Sequence, residues 1–549
     1  MAAILSGMTA PAFAQESIDG TSETVIGGGS GTKPDPWAIG GTLAVGDTGT
    51  GSLAISASGE VSNTIGYIGN GGTGNGTVTV SGTDSIWTNS STLDVGYIGT
   101  GTLDITSGGA VRNTAGTIAY GNLATGAVTV TGADSIWDNS STLTVGRAGT
   151  ATLEISAGGK VTNSSGVIGN FTSGNGTVTV DGAGSKWVNS FSLSVGQSGT
   201  AKLDITDGGL VSNSNAYIGG SGSGTGTVTV NGTNSTWINS SQLIVGHIAT
   251  GTLTISAGGT AKASSMTIAN FATSTGTLNI GAAAGDAAAP AGTLETATVQ
   301  FGAGSGTLTF NHTDSAYSFS ADISGSGTIN HLAGETFLNG DSSGFTGTLN
   351  ITGGKLGGTG KLGGVLNIAS GGSLAPGNSI GTLNAASVTL NAGSVYEVEL
   401  SAGGFTAGTN NDLLNATGTV TINSGSSIKV KPENGTDNGT TYTAGTYTII
   451  TAGSVAGTFS SVTDDYAFLD FAVSYDATHA YLTSSIVSKS FCLSGMSTNQ
   501  CAAGDGAYSL SSGSLFNAVL NLSSTQAPIA VDQLSGEIHA SVQTALIED

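Results

Sequence analysis

Trp37, Trp87, Trp137, Trp187 and Trp237 stand 50 residues apart, with no insertion or deletion between them. A spacing that strict belongs to a stacked repeat architecture, in which each unit buries its apolar face only against its neighbours. The flanking residues recur as well, as Ser85-Ile-Trp-Thr-Asn89, Ser135-Ile-Trp-Asp-Asn139, Ser185-Lys-Trp-Val-Asn189 and Ser235-Thr-Trp-Ile-Asn239.

The 50-residue unit divides again. Leu103-Asp-Ile105 and Val111-Arg-Asn113 are echoed 25 residues later by Val128-Thr-Val130 and Trp137-Asp-Asn139. On this reading Asn63, Asn89, Asn113, Asn139, Asn163, Asn189, Asn213 and Asn239 occupy one equivalent position in successive units, alternately 26 and 24 residues apart. Two residues before each stands Val or Trp in strict alternation, from Val61 and Trp87 to Val211 and Trp237. Each unit offers three short segments of alternating polarity, such as Tyr97-Ile98, Thr102–Ile105 and Ala110–Arg112, separated by Gly, Ser, Thr and Asn. These are strand and turn signals, and no stretch before residue 515 shows sustained helical periodicity.

The fold class expected is all-β: a single-stranded parallel β-helix, a solenoid of about 25 residues per turn with a 50-residue double-turn repeat, ending in a short α-helical linker. Tight corners need residues that tolerate positive φ, which Gly and Asn supply. The Asn column reads as a structural ladder, each amide donating to one neighbour and accepting from another. Sharing a position with Val favours the core for the Trp column; an exposed ladder of indoles would instead suit stacking on a glycan chain.

A balance of 12 Lys and Arg against 35 Asp and Glu excludes a surface that tracks nucleic-acid phosphates. The acidic residues are scattered, as in Asp94, Asp104, Glu154 and Asp204, and read as solubility and protection against lateral strand association. At the N-terminus, Ala2–Met8 and then Ala12-Phe-Ala14 have the apolar core and small-residue cleavage site of a secretory signal peptide, without its basic leader. Either the start lies upstream or the signal is incomplete; cleavage would leave Gln15 first. Cysteine appears only at Cys492 and Cys501, which in an exported chain read as one small disulfide loop.

After residue 280 the strict period fails while the turn-strand texture continues. Ile323-Ser-Gly-Ser-Gly-Thr-Ile329 and Phe345–Leu356 lead to Leu374-Ala-Pro-Gly-Asn-Ser-Ile-Gly-Thr-Leu383, then to Val395–Leu400, Asn411-Asp-Leu-Leu414, Tyr447–Ile450, Val455–Phe459 and Val473–Asp476. This succession resembles the passenger of a bacterial autotransporter, a type V secretion protein. Leu374, Pro376, Gly377, Asn378, Ser379 and Gly381 carry the likeness to that family's passenger-associated transport repeat. The later segments resemble its β-helical cap, which promotes folding outside the cell. The aromatics there, Tyr442, Tyr447, Phe459, Tyr466, Phe468, Phe471, Tyr475 and Tyr481, independently mark the best-packed core. Val531–Ser541 resembles the helix leading into the translocator barrel, with Val531, Leu534, Ile538, Val542, Ala545 and Leu546 on one face. The barrel that the family carries does not follow before Asp549.

The expected organisation is a signal peptide at 1–14, an N-terminal segment at 15–36, regular repeats at 37–284, an irregular β-helix with the transport repeat at 285–400, an autochaperone-like cap at 401–485, and the disulfide loop with helical linker at 486–549. No catalytic, metal or cofactor residues are expected. Gly340-Asp-Ser-Ser-Gly344 imitates a serine nucleophile but lacks a partner set. His247, His312, His331, His479 and His539 are isolated in sequence and read as solvated or turn positions. The insertion-free repeats leave no loops to build a pocket, and only Arg112 and Arg147 are available to hold acidic sugars.

The resemblance implies a non-enzymatic passenger exported through the periplasm to the surface of a Gram-negative cell or beyond, anchored through a barrel absent here. Its expected role is adhesion or autoaggregation, with a host or neighbouring-cell matrix protein or glycan, or a second copy, as partner. A glycan-active β-helical enzyme and a passive spacer stalk are the alternatives.

Overall fold

The computed structural model describes residues 15–401, 403–433, 445–487 and 489–536. The signal peptide assigned to 1–14, Tyr442 and the linker positions Ile538, His539, Val542, Ala545 and Leu546 lie outside the described residues. Two compact units meet at Leu308 and Thr309; both are parallel β-solenoid.

In the first unit a turn consists of one seven-residue strand and two four-residue strands, as in Thr100–Thr106, Ala110–Asn113 and Ala115–Ile118. Each strand pairs in parallel and in register with its equivalents one turn away, so Leu103 lies between Val78 and Val128 and Val111 between Trp87 and Trp137. The first strand among the described residues, Gln15–Ile18, pairs with Thr42–Val45. Alternation decides what goes inside: Leu103, Ile105, Val111 and Ile118 are fully buried, each contributing about 1.5–3 kcal/mol of apolar burial. Tyr97-Ile98, read as a strand, lies in the bend after Thr92–Val95. Gly96 makes that bend, with φ of +73° and a backbone so tight that a Cβ would lie 2.3 Å from Thr125 O. That left-handed turn throws the next two side chains outward.

The second unit keeps parallel stacking with changing turn length: Thr328 pairs with Thr348, Thr348 with Val365, Val388 with Val420 and Val420 with Val455. Parallel winding then stops, contrary to the expectation that it runs to residue 485. Leu469–Tyr475 and His479–Ile486 form an antiparallel hairpin, and His479–Ile486 also pairs antiparallel to Thr446–Thr451. The Asp476 side chain makes the reversal, accepting from the Thr478 and His479 amides at 2.7 and 2.8 Å and from the Tyr481 hydroxyl at 2.7 Å.

Three helices follow: α1, Thr498–Ser509; α2, Ser514–Leu520; and α3, Gln526–Ser535. α1 lies before residue 515, where no helix was expected. Its apolar residues fall on no single face, but Ser497 and Gln500 form a reciprocal capping box, a legible start signal. Gln500 also reaches Asp532 of α3 at 3.0 Å. In α3, Val531 is buried and Leu534 is exposed, so the two do not share the buried side. Cys492 and Cys501 are joined in a disulfide. No helix among the described residues is long and apolar enough to cross a membrane.

Candidate binding surface

The repeat interior is committed to structure. Trp87, Trp137, Trp187 and Trp237 are wholly buried, and Trp37 nearly so. Each later indole spans two turns: Trp137 Nε1 donates to Asn113 Oδ1 at 2.7 Å, while Asn113 Nδ2 donates to Asn139 Oδ1 at 2.6 Å. The same pairs recur at Trp87–Asn63–Asn89, Trp187–Asn163–Asn189 and Trp237–Asn213–Asn239. Asn139 passes its own Nδ2 to the Thr162 carbonyl of the following turn. Asn189 and Asn239 do the same to Ser212 and Lys262, whereas the buried Asn89 Nδ2 has no hydrogen-bond partner among the described residues.

The ring needs room, and Gly116 supplies it. A Cβ there would lie 2.4 Å from Asn139 Oδ1 and 2.8 Å from Trp137 Cζ2, and Gly66 and Gly166 do the same under Trp87 and Trp187. In the fourth repeat the position is Ala216, and there the indole bond lengthens from 2.7 to 2.9 Å. The 50-residue period is thus a packing period: a Val turn with a small residue, glycine in three repeats and alanine in the fourth, is covered by a Trp turn with a leucine.

Recognition falls to what faces out. On the seven-residue face the middle outward position runs Thr79, Asp104, Thr129, Glu154, Thr179, Asp204 and Thr229, in register turn by turn. Carboxylates therefore recur every second turn, roughly 10 Å apart. At the bend beside Gly96 the outward column is aromatic. Tyr67 and Tyr97 have ring centroids 4.8 Å apart, Tyr97 and Tyr120 4.7 Å, and the Arg147 guanidinium sits 3.8 Å over Tyr120 and 4.8 Å over Phe171. Further along, Tyr217, His247 and Phe271 continue the pattern. Asp94, read as a solvated acid, is instead only 6 % exposed, and burial pushes its carboxyl up to about 6 against the opposing pull of Thr117 and Arg147.

The second unit holds two buried polar arrangements. His312 and His331, expected at solvated or turn positions, are fully buried. Their Nε2 atoms meet the Thr336 hydroxyl at 2.8 and 3.1 Å, and His331 Nδ1 lies 2.8 Å from the Gly353 carbonyl. His331 is on the inward side of Thr328–Ala333, and burial lowers its pKa to about 4, so it is neutral at pH 7. Near the transport-repeat motif Leu374, Pro376 and Gly377 are buried, whereas Asn378 is exposed. Ser379 donates to Glu399 at 3.0 Å. The buried Asp412 carboxyl clamps the motif, accepting from the Gly381 amide at 3.0 Å and the Glu399 amide at 2.8 Å. Within Gly340–Gly344, Ser342 accepts from the Ile323 amide at 3.0 Å and Asp341 pairs with Lys361 at 3.0 Å. Among the described residues no three His, Cys, Asp or Glu side chains form a group able to hold a metal ion.

No protein-family model matches the chain. The chain is similar to the adhesin BmaC autotransporter of Brucella suis biovar 1 (strain 1330), with 37% identity over 101 residues, which is 15% of this chain and 3% of that protein. It is also similar to the uncharacterized protein YuaQ of Escherichia coli (strain K12), 41% identical over 64 residues, or 11% of this chain and 5% of that one. The chain therefore matches a small part of either relative. A crystal structure of a TibC-catalyzed hyper-glycosylated TibA fragment aligns over 79% of this chain and 98% of its own, at 17% identity and a TM-score of 0.26. With a parallel β-helix that fits a passenger domain and a stretch of sequence shared with an autotransporter adhesin, the chain resembles the passenger of a bacterial autotransporter.

Proposed function

We propose that the chain is a surface-displayed or secreted adhesive passenger that binds by repetition. The observation that carries this reading is the register of the outward columns: Thr79, Thr129, Thr179 and Thr229, with Asp104, Glu154 and Asp204 between them, present the same groups at a fixed spacing over many turns. Weak identical contacts on such a lattice add to high avidity against a partner that is itself repetitive, such as a matrix protein, a glycan or another copy. The sequence shared with an autotransporter adhesin supports a non-enzymatic, adhesin-type role at the outer membrane or outside the cell. The segment boundaries at residues 284, 400 and 485, and a cap that promotes folding, belong to the same proposal.

Deletion of residues 88–137 tests it. In a form displayed on cells through a translocator barrel, the deletion is expected to leave display intact and to weaken adhesion or cell sedimentation only gradually. Complete loss of binding with unchanged display would indicate one localised site and refute repetition.

A further inference from the structure

The aromatic bend of the repeat region gathers several large apolar side chains that reach the surface. Ile98 is 49 % exposed, Phe171 47 % and Leu123 93 %. Contiguous exposed apolar groups of this kind mark an interaction surface. The backbone stacks them into a column, with the Tyr97 amide on the Gly69 carbonyl and the Tyr120 amide on the Gly96 carbonyl. One end of the column is acidic, because Asn70 holds Asp47 at 2.6 Å and Asp94 lies close enough to perturb the Tyr67 hydroxyl.

We propose that this bend is a docking strip for an arginine-bearing polypeptide segment, whose guanidinium groups stack against the exposed Phe171 ring and the half-buried tyrosines as Arg147 already does. Two observations favour that occupant. Arg147 occupies one rung, between Tyr120 and Phe171, so the column accepts a guanidinium in place of a ring. The chain carries a net charge of -23, which draws cationic partners and repels acidic ones. A planar, weakly hydrated guanidinium stacks on aromatic faces better than a lysine ammonium, while Ile98 and Leu123 offer apolar contact to the neighbouring side chains. The strip is a second surface, separate from the carboxylate columns, and rests on the adhesion reading only for the setting in which such a partner is met.

The full chain should be titrated with labelled oligo-arginine, oligo-lysine and oligo-glutamate peptides and with neutral oligosaccharides. Oligo-arginine is expected to bind more tightly than oligo-lysine, and the double variant Tyr97→Ala, Phe171→Ala to weaken it by about tenfold. Phe191→Ala, which removes another exposed ring, should leave binding unchanged. Should the double variant fold poorly, Phe171→Ala alone reads the same effect, since Phe171 is a surface side chain. Equal binding of the two basic peptides, unaffected by these variants, would overturn the proposal in favour of net charge alone. Oligosaccharide binding lost in the same variants would overturn it in favour of a glycan. Purified-protein binding reads the strip and cell adhesion reads the wider function, so the two can fail separately.

Discussion

Trp137→Ala is expected to destabilise the repeat region by about 3–5 kcal/mol. The indole is fully buried and lies over Gly116, which has no side chain to fill the space left behind. Asn113 Oδ1 also loses its donor, and a buried acceptor without a partner costs about 1–3 kcal/mol. Equilibrium urea denaturation checks the total. Asn113→Ala should cost less in the Trp137→Ala background than in the native chain, by a coupling of about 1 kcal/mol, because the two side chains act as one device. A loss below about 1 kcal/mol for Trp137→Ala would place the indole outside a packed core.

Asp412→Ala is expected to cost about 2–5 kcal/mol and to do so in a pH-dependent way. Removing the carboxyl strands two donors, the buried Gly381 amide and the part-buried Glu399 amide, at about 1–3 kcal/mol each when cut off from water. Burial, with Glu399 and Glu397 nearby, pushes the Asp412 carboxyl up to about 8. A folded-state pKa above the unfolded one means the native chain holds the extra proton. Its contribution is complete below about pH 4 and is lost as pH rises through about 8. The stability difference between native chain and variant should therefore shrink from pH 5 to pH 9. Hydrogen exchange of the Gly381 and Glu399 amides reads it locally: both should be protected in the native chain and open in the variant. Equal protection in the two would mean that Asp412 does not hold the motif.

The coil was legible because the repeats contain no insertions. With Asn113 and Asn139 at equivalent places, register follows by counting, and one-in, one-out alternation in segments such as Thr102–Ile105 assigns the interior. Other features were hidden for particular reasons. Asp94 looks solvated in a polar context, yet its strand Thr92–Val95 buries three consecutive positions, so simple alternation misplaces it. Tyr97 and Ile98 alternate like a strand, but Gly96 turns the chain just before them. Neither the aromatic column nor the Gly116–Trp137 contact is visible until adjacent turns are superposed. In the second unit, unequal turn lengths remove the counting rule altogether. His312 and His331 are 19 residues apart in sequence and meet at Thr336, a juxtaposition that no fixed period reveals. The closing hairpin depends on the Asp476 turn, and α1 on a capping box rather than an apolar face.

If two turns are the unit of construction, the most direct measurement compares two deletions in the full chain by urea denaturation. Removal of residues 88–137 joins Trp87 to Asp138 and preserves the alternation of Val and Trp turns; it should leave a cooperative unfolding transition of nearly native midpoint. Removal of residues 88–111 takes out one turn and sets Trp87 where Val111 lay, directly beneath Trp137. Two indoles cannot share that layer, so this shorter deletion should be the more damaging, lowering the midpoint substantially or abolishing the transition. Equal tolerance of both deletions would contradict the account and make the single 25-residue turn the true module.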